Sequence, residues 1–206
     1  MTTALVVGFG RFPGAPENPS AKVAVAIARR RRPALASTKI VPAILPTTYH
    51  AVANDLPALL KRYDPDVVLF FGLASRADVV RVESRAVNAA SAFHADAKHL
   101  KMPGREVVHG APRYLGARAP VQKLVAAVRE TGTAVRHSRD AGRYICNASL
   151  FASLDTARRT GRPRQIAFIH IPWPRSHARP TRPTIDALVR AGEAALVAMT
   201  AATKRG

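Results

Sequence analysis

The chain has 206 residues, 48% of them hydrophobic and 22% charged, a balance that excludes a disordered or low-complexity protein and suits one domain with a buried core. Lys and Arg total 32 against 13 Asp and Glu, a formal net charge of +19 that attracts polyanions non-specifically. No uncharged apolar run approaches the roughly 18 residues of a membrane span, and the start Met1-Thr2-Thr3-Ala4-Leu5-Val6-Val7-Gly8 lacks the basic region of a signal peptide, so a cytoplasmic protein without a membrane partner is expected.

In chain order, Ala4–Phe9 is an apolar run with Gly8 and Gly10 at its end, which predicts a buried strand feeding a turn. Asn18-Pro19 then predicts a helix start, with Asn as N-cap and Pro at the first helical position. That helix is expected to run to about Arg32, where Pro33 stops it. The dense block Arg29-Arg30-Arg31-Arg32 complements the dipole at such an end and has no aromatic residues interleaved for base stacking, so it reads as solvated surface and any nucleic-acid contact as non-specific.

Ile40–Leu45 predicts a second strand despite Pro42, and Val52–Tyr63 a helix despite Pro57. Asp66–Phe71, closed by Gly72, is the clearest buried strand, and Val79–Val82 a short extended piece leading to Glu83. Pro103, Gly104, Gly110, Pro112 and Gly116 predict irregular structure from Phe93 to Ala119. Pro120–Thr131 reads as a helix with Val121, Leu124, Val125 and Val128 on one stripe, followed by a strand Ala134–Ser138. A helix of about Cys146–Arg159, a buried strand Ile166–Ile171, a Pro/Arg-rich loop through Pro183 and a last helix Ile185–Thr200 complete the chain. Strands alternating with helices predict a single α/β domain over residues 1–206, a three-layer α/β/α sandwich.

Cys146 is the one cysteine, so no internal disulfide forms. It falls where a strand-to-helix connection delivers a helix start, an environment that favours the thiolate and offers N–H groups to an oxyanion. His170 falls at the carboxyl end of a strand, the edge where sites assemble in open α/β sheets. On residue types alone, a core histidine and a surface acid remain the simpler readings of His170 and Glu83.

Four separated segments change that balance. Asp140-Ala141-Gly142-Arg143-Tyr144-Ile145-Cys146-Asn147 is similar to the nucleophile motif of pyroglutamyl peptidases, Asp-Ala-Gly-x-Tyr-hydrophobic-Cys-Asn. Phe168-Ile169-His170-Ile171-Pro172 resembles the family's histidine motif. Gly8-Phe9-Gly10-Arg11-Phe12 with Asn18-Pro19-Ser20 resembles its N-terminal motif, and Gly72-Leu73-Ala74 with Glu83-Ser84-Arg85-Ala86-Val87-Asn88 the segment that carries its glutamate. The resemblance covers nearly the whole chain, in the family's order.

The resemblance implies a mixed, largely parallel sheet and a cysteine peptidase that removes N-terminal pyroglutamate from peptides without metal or organic cofactor. It implies Cys146 as nucleophile, His170 as general acid/base and Glu83 orienting the imidazole, which is triad logic with a glutamate in third place. It further implies that Phe9 and Phe12 line the pocket for the lactam ring, and that the chain assembles as a homo-oligomer, a dimer or tetramer.

Some of the family's pattern is altered. Ser75-Arg76-Ala77 replaces its Gly-Gly-Arg, Ser84 replaces the arginine after its glutamate, and Phe93-His94-Ala95-Asp96-Ala97 stands where it carries Arg-Ile-Pro-Asp-Asn. Arg76 and Arg85 are the candidates to compensate for the arginine that Phe93 replaces. Two further readings accommodate these changes: a divergent cysteine amidase or peptidase of different acyl specificity, and an inactive, basic polyanion-binding protein on the same scaffold.

Overall fold

Seven consecutive buried residues, Val67–Leu73, form the strand β3 at the middle of the molecule. The computed structural model describes residues 1–102 and 104–203. Around β3, the strands β1 (Thr2–Phe9), β2 (Thr38–Leu45), β4 (Val80–Glu83), β7 (Val135–Ser138) and β8 (Gln165–Ile171) build a six-stranded sheet in the order β2-β1-β3-β8-β4-β7. The small strands β5 (Arg85–Val87) and β6 (Tyr114–Gly116) pair antiparallel apart from it. The pairs β2–β1, β1–β3, β3–β8 and β4–β7 are parallel, whereas β4 runs antiparallel to β8.

Helices cover both faces, as a sheet buried on both sides requires. Residues of α1 (Pro19–Arg29), α3 (Val121–Glu130) and α5 (Ile185–Thr203) pack with Val6, Leu69 and Ile169 on one face. Residues of α2 (Leu56–Tyr63) and α4 (Ile145–Thr160) pack with Leu5, Phe70 and Phe168 on the other. Burying each such large side chain stabilises the fold by roughly 1.5–3 kcal/mol. Alternation along β8 therefore sends Phe168 and His170 to the α4 side and Ile169 to the other. The mixed α/β/α sandwich is the architecture expected from the sequence.

Three boundaries differ from the sequence expectation. The first helix ends at Arg29, because Arg30 is extended (φ −81°, ψ 139°), and Pro33 opens a short 3-10 turn instead of ending the helix. The segment 52–63 begins as a π-turn over Ala51–Asp55 and becomes α-helical at Leu56, which puts Pro57 in the first turn of α2, where its missing N–H costs no bond. Within 93–119, expected to be irregular, β6 forms against β5; Pro103, one of the residues behind that expectation, lies outside the described residues. Pro42 is tolerated because β2 is an edge strand.

Candidate active site

The carboxyl ends of β3 and β8 meet the amino end of α4. His170 stands one residue from the end of β8, in register with Gly72 of β3 on one side and Arg81 of β4 on the other. Because β4 runs opposite to β8, Glu83 lies beside Phe168, one step deeper on the same face of the sheet. From there its Oε1 lies 2.9 Å from His170 Nδ1. A carboxylate only accepts, so Nδ1–H donates and Nε2 is the nitrogen left for the sulfur. Cys146 acts on the same imidazole and favours its charged form.

Burial works against a charged imidazole here, but the bonds and charges of Cys146 and Glu83 outweigh it and raise the His170 pKa from 6.5 to about 9. Glu83 is fully buried, and its Oε2 has no hydrogen-bond partner among the described residues, so little else competes for the carboxylate's charge.

Cys146 is the second residue of α4, whose first-turn N–H groups lack intrahelical partners. Its sulfur is fitted closely against β3: a Cβ on Gly72 would come within 2.8 Å of Sγ and 2.7 Å of the Phe168 ring. Asn147, fully buried, bonds the backbone of Val87 through both its Oδ1 and Nδ2 and also donates to the Ala89 carbonyl. Asn88 in turn donates to the carbonyls of Val108 and Ala111 and accepts the N–H groups of Val107 and Val108. The two amides thus tie the start of α4 to β5 and the 105–111 loop.

A cavity of about 670 Å³ adjoins the turn into α4, walled by Phe12, Leu73, Ser75, Phe93, Arg143 and Tyr144 among others. Leu73 follows Gly72 and Tyr144 stands two residues before Cys146, while Cys146 and His170 themselves do not line it. Phe12 and Tyr144 have their ring centroids 6.5 Å apart. Tyr144 was not singled out from sequence, although its place two residues before Cys146 in the nucleophile motif was the available signal. Burial first, then the negative groups Tyr49, Asp96 and Cys146, push its pKa to about 12, so it remains a neutral phenol that donates to the Ala95 carbonyl at 3.1 Å.

The structure places the two expected pocket phenylalanines differently. Phe12 is partly exposed and walls the cavity. Phe9 is 2% exposed, with its ring stacked on Phe70 and Phe168, and Phe168 lies 4.7 Å from the His170 ring. Phe9 therefore offers the site a packed backing. The reason lies in the strand period: Leu5, Val7 and Phe9 share the face of β1 that points into the α4-side core. Asn18-Pro19-Ser20 holds the intervening loop: Asn18 caps α1 through Ser20 N and donates to the Gly10 carbonyl, while Ser20 Oγ accepts from Phe9 N.

The altered positions also have definite places. Ser84 donates twice to the Ser138 carbonyl, through N and Oγ. Arg85, one candidate for the missing cation, is engaged with the Arg139 carbonyl and the Tyr114 ring. Arg143, not considered from sequence in this role, is a cation of the cavity wall. A second groove of about 680 Å³ lies along α3 and α5, lined by alanines together with Arg32, Glu130, Arg190 and Glu193, and holds no cysteine or histidine.

A thiol, an imidazole and a buried carboxylate on the edge of an α/β sheet are the equipment of a thiol hydrolase. The sequence model described as Pyroglutamyl peptidase matches residues 2–203. The pyrrolidone-carboxylate peptidase of Thermococcus kodakarensis is 32% identical over 174 residues, 84% of this chain and 82% of that relative. That of Clavibacter michiganensis is 34% identical over 84% of this chain and 79% of its own. Among solved structures, the pyrrolidone carboxyl peptidase of Thermococcus litoralis superposes with a TM-score of 0.90 at 25% identity, covering all of this chain and 97% of that one. Pyroglutamyl peptidase I of Bacillus amyloliquefaciens has a TM-score of 0.87 at 24% identity over 98% of both chains, a likeness of fold. The chain belongs to the pyroglutamyl peptidase family, a family of cysteine peptidases. These findings do not favour the divergent-amidase or polyanion-binding readings. Among the described residues no helix is long and apolar enough to cross a membrane.

Proposed function

We propose that this protein hydrolyses the amide bond after an N-terminal pyroglutamyl residue, with Cys146 as nucleophile, His170 as general acid/base and Glu83 as the group that orients the imidazole. The observation that carries the reading is the Glu83–His170 contact at 2.9 Å, with Cys146 at the start of α4 acting on the same ring. The thiolate sulfur attacks the pyroglutamyl carbonyl carbon, and the negative charge that develops on oxygen is stabilised by N–H groups at the start of α4. Collapse of the tetrahedral intermediate expels the amine, which takes its proton from His170 and leaves a thioester on Cys146. Water, deprotonated by the now neutral imidazole, cleaves the thioester and returns the thiolate.

The lactam carries no charge, and an aromatic wall such as Phe12 and Tyr144 suits its faces. Phe9 backs the His170 ring through Phe168. In keeping with the family resemblance, the protein acts as a homo-oligomer in the cytoplasm. Substrate class is tested by amine release from matched pyroglutamyl, prolyl and glutaminyl amides. The proposal expects cleavage of the pyroglutamyl amide alone; equal cleavage of the glutaminyl amide would overturn it.

A further inference from the structure

We infer that Phe93 forms a subsite for the residue that follows the pyroglutamyl group, selecting peptides whose second residue is aromatic. The inference rests on the peptidase reading above. Phe93 leaves 89% of its surface in water, an exposure that among the described large apolar residues only Met1 exceeds. A large apolar group kept in water at the mouth of a cavity marks a contact surface.

The loop that presents it is built. Ser91 Oγ accepts the N–H groups of Phe93 and His94 at 3.2 Å. Buried Asp96 accepts from the backbone of Tyr49, Lys98 and Leu100, and the Tyr144 hydroxyl fastens Ala95. Burial opposes the ionised form of Asp96, but these backbone bonds and Lys98 hold its pKa below the usual value, so the anchor persists at neutral pH.

Phe93 belongs to the same cavity of about 670 Å³ as Phe12 and Tyr144, which is more space than a five-membered lactam fills. With the lactam between the inner walls and its carbonyl at Cys146, the leaving amine and its side chain occupy the outer part, where Phe93 stands. An aromatic second residue can then stack on the Phe93 ring, a contact that raises selectivity by roughly two- to tenfold over alanine.

The test compares kcat/KM for pyroglutamyl-phenylalanine amide and pyroglutamyl-alanine amide in wild type, Phe93→Ser and Phe93→Trp. The expected result is an aromatic preference in wild type, carried mainly by KM, that falls to about one in Phe93→Ser and is retained in Phe93→Trp. Cleavage of both amides without that preference, or with a preference that survives in Phe93→Ser, would overturn the subsite and leave the peptidase reading standing. Failure of wild type to cleave either amide would overturn both.

Discussion

At the scale of single residues, Cys146 and Glu83 together set the pH range in which His170 can act. The imidazole pKa is about 9 against an ordinary 6.5, so the interaction it makes as a cation is complete below about pH 6.5 and is lost as pH rises through about 9. Any stability that it contributes to the fold is lost over the same window. For wild type we expect the alkaline limb of the pH profile of kcat/KM near pH 9. Glu83→Gln removes one of the groups that raise this value, so the limb should move to lower pH, with a loss in kcat of about 100-fold or more. A pH–rate profile of the two proteins checks this, and an unmoved limb would show that Glu83 does not set the imidazole charge.

Gly72 makes a second residue-scale case. Its φ is unremarkable, and what requires glycine is space, because any Cβ meets both Sγ of Cys146 and the Phe168 ring below 3.0 Å. Gly72→Ala should displace the sulfur from its imidazole partner, and an error near 1 Å costs on the order of 100-fold in rate. The expected signature is a fall in kcat greater than any fall in thermal stability would explain; near-normal kcat would mean that the sulfur has more freedom than its packing indicates.

At the scale of elements, the arginine block shows what periodicity leaves out. Read along the chain, Arg29–Arg32 is a solvated helix end. In the fold, Arg30 and Arg32 reach Glu193 of α5 at 3.5 and 2.8 Å, and Arg30 also pairs with Asp186. Glu193 is 1% exposed with its Oε1 unpartnered, so these arginines answer a buried charge contributed by an element more than 150 residues away. Arg32→Ala should lower stability by about 1–2 kcal/mol, and Glu193→Gln in that background should cost less than in wild type, because the charge left with Arg30 alone, at 3.5 Å, is then gone. Chemical denaturation of the four proteins of the cycle measures the coupling, and simple additivity would contradict it.

The elements that sequence reading located well were those with local signals: β3 and β8 as apolar runs, α3 by its stripe, and α1 by Asn18-Pro19. The β5–β6 pair was missed because two three-residue strands carry no usable period and their partners are distant in sequence. Phe9 was expected in the pocket wall, and Tyr144 was not, for a related reason. Their side-chain directions depend on strand phase and on the approach to α4, and neither is written in residue type.

At the scale of the whole molecule, the excess of cations is organised more than its sum suggests. The acids are largely taken up in pairs: Asp155 with Arg158 and Arg159, Arg162 with Asp64 and Asp66, and Asp78 with Arg179 and Arg182. What remains is a basic exterior around a sheet whose edge gathers Gly72, Cys146, Glu83 and His170 from four separate elements. The fold class was legible because the strand and helix signals alternate, and the catalytic candidates because four motifs stand in order. The geometry that joins them required the chain reversal of β4, which no local signal records.

The most direct test of this account is fluorophore release from a pyroglutamyl-coupled fluorogenic amide by reduced, folded wild type and by Cys146→Ser. The account predicts turnover in wild type that is lost in Cys146→Ser, since a serine hydroxyl on the same helix start is a far weaker nucleophile than the thiolate. Turnover that persists undiminished in Cys146→Ser, or none in wild type, would contradict it.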